Sequence, residues 1–157
     1  MPRPLTEEQW QALLSFRVAL RSFIRWGEGQ AASVGLTPAQ HQLLVAIRGH
    51  DGDVGPTISD LAGYLFVRHH SAIGLVDRAE ALGLVERRRD PSDQRLVRVV
   101  LTARGRQRVD GLAVAHLEEL RRLAPVLDAL VGAGSDPGAK PGIGGARDGA
   151  PTGSGAR

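Results

Sequence analysis

Residues 67–102, VRHHSAIGLVDRAEALGLVERRRDPSDQRLVRVVLT, constrain the fold more than any other stretch. In the first half, Ala72, Ile73, Leu75, Val76, Ala79 and Leu82 recur at helical spacing. That predicts one helix over His69–Leu82, its apolar face on a core and His69, His70, Ser71, Gly74, Asp77 and Arg78 outward. Gly83 can take positive φ and stop the helix, and Leu84 can fold back onto it. Two strand-like runs follow, Leu84–Arg89 and Leu96–Leu101, around the turn-forming Asp90-Pro91-Ser92-Asp93-Gln94. A helix followed by an arginine-rich two-stranded hairpin is the outline of a winged helix, a device suited to DNA.

Charge supports that outline by its placement. The chain has a net charge of +3, and its sequence pI of about 10.5 reflects how little titrates between His and Arg. From Arg68 to Arg108 there are 10 Arg against 5 acids, while the remainder holds 10 Lys+Arg against 12 acids. The basic excess therefore lies on the half predicted to face nucleic acid.

Upstream, Thr6-Glu7-Glu8-Gln9 has the form of a capping box opening a helix that runs to about Ala32, with a wide apolar surface including Trp10, Leu14, Val18 and Ile24. Thr37-Pro38-Ala39-Gln40 repeats the device, with Pro where its missing amide costs nothing, and Gly49 ends that helix. A loop over 50–56 leads to Thr57-Ile58, a possible short strand against the hairpin. Ser59 is expected to cap a short helix ending near Phe66, which with His69–Leu82 makes a helix-turn-helix. Thr102 should cap the last helix, broken or kinked at Pro125 and ending near Val131.

From Gly132 onward Gly and Pro dominate, and Ile143 is the only large apolar residue. Residues 132–157 are expected to be a disordered tail beyond a single domain over 1–131. Cys is absent, which excludes disulfides and Cys-based zinc sites. His69-His70 diverge on a helix and have no i, i+4 partner, so no metal or other cofactor is expected. No paired catalytic constellation is present, so the reading is not an enzyme. Neither a signal peptide nor a membrane-spanning run is apparent, which points to the cytoplasm and away from membranes.

Asp93-x-Arg95-x-x-x-Val99-x-Leu101-Thr102 resembles the wing signature of the MarR family of bacterial transcription regulators. Leu75-Val76-Asp77-Arg78 followed by Gly83-Leu84-Val85-Glu86-Arg87-Arg88 is similar to that family's recognition helix and first wing strand. The resemblance covers roughly Leu5 to Val131. It implies a mostly α winged helix-turn-helix that dimerises through its N- and C-terminal helices (about 5–33 and 102–131), with a DNA-binding lobe over about 37–101. It also implies an effector pocket, of unspecified residues, where the dimerisation helices meet the lobe, and an orienting role for Asp93 toward Arg95.

The residues themselves suggest how a duplex would be held. His69, His70 and Ser71 sit in the first turn of the predicted reading helix, whose free amides suit phosphates and base edges. Ile73 could meet a thymine methyl. Arg95, at the hairpin tip, is placed for a minor groove, and Arg87, Arg88, Arg89 and Arg98 are phosphate candidates. Arg68, Gly74 and Arg78 complete the predicted DNA-binding set. Relatives often have a small capping residue at the position of Arg68 and a long polar one at that of Gly74. The function expected is a sequence-specific regulator of double-stranded DNA, a ligand-responsive repressor acting as a homodimer on a pseudo-palindrome. A sequence-indifferent architectural DNA binder and a protein-interaction winged helix are the alternatives.

Overall fold

A computed structural model describes residues 4–134. Within them the order is α1 (Glu7–Ser33), α2 (Pro38–Arg48), α3 (Ile58–Leu65), α4 (His69–Ala81), β1 (Val85–Arg89), β2 (Val97–Leu101) and α5 (Ala103–Gly134). The chain is mostly helical with one antiparallel hairpin, the winged helix-turn-helix that the sequence implies.

Reciprocal caps start the first three helices. Thr6 Oγ1 accepts the Gln9 amide at 3.2 Å while Gln9 Oε1 accepts the Thr6 amide at 2.9 Å. Thr37 and Gln40 repeat the arrangement. α3 departs from expectation: its cap is Thr57, not Ser59, because Asp60 closes a third box by accepting the Thr57 amide at 2.8 Å. The bonds from the Thr57 backbone and hydroxyl hold the Asp60 carboxyl below its ordinary range. The strand expected at Thr57-Ile58 shrinks to a single bridge between Thr57 and Arg98, since Ile58 already begins α3.

α4 ends in a Schellman turn. Gly83, at φ +68°, donates to Glu80 O at 2.8 Å, and Leu84 donates to Ala79 O at 3.0 Å. Leu84 is thereby committed to the helix end, so β1 begins at Val85. β1 and β2 pair in register from Val85 with Leu101 to Arg89 with Val97. At the start of α5, Thr102 Oγ1 accepts the Gly105 amide at 3.1 Å, which caps the helix as expected. Gly105 lies against the hairpin's root, where a Cβ would stand 1.9 Å from Leu84 O. Only glycine allows that approach.

The core lies in the lobe between these elements, with Leu43, Leu44, Leu61, Val76, Val85 and Val99 fully buried. Each such side chain contributes about 1.5–3 kcal/mol relative to exposure. α1 and α5 instead lie along each other as antiparallel arms, and Gln9 Nε2 donates to Ala133 O at 2.8 Å to tie their far ends together. Ala31 is the one buried residue of α1.

α5 runs unbroken through Pro125 to Gly134, past the expected break and past Val131. Proline there frees the carbonyl of Arg121, which sits on an exposed part of the helix where water can reach it. The remainder of the predicted tail, 135–157, lies outside the described residues. Among those described, no helix is long and apolar enough to cross a membrane.

Candidate nucleic-acid interface

α3, a tight turn and α4 form the helix-turn-helix. Phe66 closes α3 in a left-handed conformation, and Arg68 opens α4 with no side-chain cap and no acid in the first turn. The positive end of α4 is thus unneutralised from within, unlike that of α3, which Asp60 covers. Arg68, His69, His70 and Ser71 are all exposed there, with His69 Nδ1 3.5 Å from Ser59 Oγ. Ile73 is exposed one turn further on, and Arg78 two turns on. At Gly74, where relatives often have a long polar side chain, a Cβ would meet only the flexible end of Arg78, at 3.4 Å. The backbone is bare on the outward face.

The wing is organised by Asp90, which does more than form the turn. Asp90 has a side chain 6% exposed and uses both carboxylate oxygens. Oδ1 accepts the amides of Ser92 at 2.7 Å and Asp93 at 2.9 Å, and Oδ2 accepts Arg98 Nε at 2.6 Å. The amides of Asp93 and Ser92, then Arg98, hold this carboxyl below the usual carboxylate range. Asp90 also donates its amide to Leu96 O at 3.0 Å, closing the loop.

These contacts divide the predicted arginines. Arg98, 18% exposed, is pinned between Asp90 and Gly55 O and serves as an internal strut of the wing. Arg87 is likewise engaged inside the lobe: its guanidinium meets Asp77 Oδ1 at 2.6 Å and Glu80 Oε2, and its amide donates to Glu80 Oε1. Burial pulls its pKa down, but the bonds to Asp77 and Glu80 outweigh that and raise it. Arg87 therefore locks β1 to α4. Arg88 pairs with Glu86, and Arg89 Nη1 donates to Gln94 O at 2.8 Å while remaining exposed. The sequence holds one trace of these locks, the acids Asp77, Glu80 and Asp90 in a basic stretch, but not which arginine each meets.

Arg95 differs from them. It is exposed at the hairpin tip and, among the described residues, makes no ion pair. Asp93 acts on its backbone rather than its guanidinium, accepting the Arg95 amide at 3.0 Å. Arg68, Arg78 and Arg95 are thus cations that the described residues leave unpaired.

Where the arms meet the lobe, a cavity of about 640 Å³ is lined by residues of α1, α2 and α5, including Phe23, Val45, Val109 and Leu117. His41 of α2 and His116 of α5 meet at its wall with ring centroids 4.7 Å apart, and Trp26 lies edge-on to His116 at 4.9 Å. His116 Nδ1 donates to Leu112 O at 2.8 Å, which fixes its tautomer. Burial, and then the nearness of His116, lower the pKa of His41 below 6.5.

The MarR family model matches residues 34–96, which span α2, the helix-turn-helix and the wing turn. The chain superposes on AbsC, a MarR family transcriptional regulator from Streptomyces coelicolor, with a TM-score of 0.61 and 25% identity over 83% of this chain and 99% of that one. The family match takes in less than half of this chain, and it supports the MarR resemblance over residues 34–96. A second neighbour in fold is the MepR–DNA complex of Staphylococcus aureus, with a TM-score of 0.59 and 23% identity over 70% of this chain and 80% of that one. An uncharacterised HTH-type transcriptional regulator of Bacillus subtilis (strain 168), YsmB, is 34% identical over 65 residues. That match takes in 41% of this chain and 44% of YsmB, less than half of either.

Proposed function

We propose that this chain is a MarR-family, sequence-specific regulator of transcription that binds double-stranded DNA as a homodimer and represses in a ligand-responsive way. One observation carries the reading. The described lobe pairs Arg87, Arg88 and Arg98 with its own acids, yet leaves exposed Arg68 at the uncapped start of α4, Arg78 in its last turn and Arg95 at the wing tip. Unpaired cations and an open helix N-terminus match the charge of a phosphate backbone. Arg95 would enter a minor groove while His69, His70, Ser71 and Ile73 face the neighbouring major groove. The fold shared with a DNA-bound MepR is consistent with that docking.

Dimerisation rests on the arms. Trp10, Leu14 and Val18 of α1, with Val114, Leu117 and Leu120 of α5, are large apolar residues left exposed on a single chain, and a second copy would cover them. The cavity between arms and lobe suits an effector, which would act by favouring a subunit spacing that no longer fits two half-sites about one helical turn apart.

Selection of bound sequences from random duplexes, followed by competition, tests the proposal. A selected duplex should outcompete bulk genomic DNA for the protein at physiological salt. Equal displacement by bulk DNA would make the chain an architectural binder instead.

A further inference from the structure

Phe66 carries a side chain that stands almost wholly in solvent. It is the only non-glycine residue with positive φ among those described (+52°), and it is 96% exposed. The left-handed turn itself is needed: Phe66 donates to Gly63 O at 3.3 Å and Val67 to Ala62 O at 3.1 Å, which closes α3. The phenyl ring is not. Glycine takes this conformation without the clash of Cβ against the following carbonyl, and an exposed ring gains nothing from burial. Conformation and solvation both disfavour phenylalanine here.

Its surroundings indicate what the ring would meet. Residues 66–71, Phe-Val-Arg-His-His-Ser, are exposed without interruption and contain no acid. Phe66 stands two residues before the cap of α4, at the end of the reading helix that carries His69 and His70, and exposed Ile73 follows one turn along. Arg68 beside it favours a polyanion over a second apolar protein surface. The apolar feature that a duplex presents in its major groove is the 5-methyl group of thymine.

We propose that Phe66 is a specificity-determining residue whose ring packs on a thymine methyl at the edge of each half-site. The proposal rests on the DNA-binding reading above. The test uses full-length protein and a duplex selected by the wild type, with each thymine replaced in turn by uracil, which removes only the methyl group. One replacement should weaken wild-type binding about fourfold, the worth of one buried methyl-sized group, and leave Phe66→Gly unaffected. Phe66→Gly should also bind the unmodified duplex more weakly than wild type while melting at the same temperature or higher. Phe66→Asn, which also tolerates the left-handed turn, should behave alike. Wild-type affinity in both variants, or uracil penalties that are the same in wild type and variants, would overturn the proposal. A methyl read by Ile73 would give the second pattern. A wild-type protein that selects no sequence would instead fail at the first step, and would remove the DNA-binding reading together with this one.

Discussion

Leu43 and Leu14 are the same residue on neighbouring helices, yet Leu43 has no accessible surface and Leu14 is 64% exposed. The contrast extends to the regions around them. The lobe buries its apolar residues against one another across α2, α3, α4 and the hairpin. The arms pair α1 with α5 and still leave Leu14, Val18, Val114 and Leu120 outward. The lobe holds most of the buried core, whereas the arms leave an apolar surface that the proposed second copy would cover.

The largest effect should come from the lobe. Leu43→Ala should lower stability by about 3 kcal/mol in denaturant titration, from lost burial and the cavity left behind. An arm substitution should act on assembly instead: Leu14→Glu should yield monomers by light scattering while keeping the wild-type helical circular dichroism, because a carboxylate buried between subunits has no partner. If Leu14→Glu unfolded the chain, or Leu43→Ala left stability unchanged, the contrast between the regions would be false.

A third effect separates the wing from the rest of the lobe. Asp90→Ala should expose the amides of Ser92 and Asp93 to hydrogen exchange while those inside α4 keep their protection. Acid should do the same. The Asp90 carboxyl titrates below its unfolded value of 3.8, so its contribution is present above that pH and is lost as pH falls through the lower folded value. Wing amides that stay protected in Asp90→Ala would show that the pin does not hold the turn.

The smallest effect lies at the joint between the regions. With its pKa lowered, folded His41 binds fewer protons than unfolded His41. Stability should therefore decline as pH falls below 6.5 toward the folded value, and His41→Phe should flatten that slope in thermal melts. An unchanged slope would mean that His41 does not link arm to lobe energetically.

Much of this was legible in the sequence because its signals are local. Thr6 with Gln9 and Thr37 with Gln40 announce helix starts through contacts three residues apart, and Gly83 announces a stop through its own φ. What escaped is set across the fold. Arg87 and Arg98 read like Arg95 in a one-dimensional string, and only the packing of β1 on α4 and of β2 on the 55–57 segment brings Asp77, Glu80 and Asp90 to them. Ser59 looked like a cap because Thr57 looked like a strand, and the outcome turned on Asp60 reaching back. Pro125 shows the converse, where a strong local rule yields on an exposed arm.

The central claim is that the wing's unpaired tip, rather than its paired arginines, engages the duplex. The dissociation constant of Arg95→Ala for the selected operator tests it most directly. Binding should weaken by about 1–3 kcal/mol, with a melting curve the same as that of the wild type. Wild-type affinity in that variant would contradict the claim.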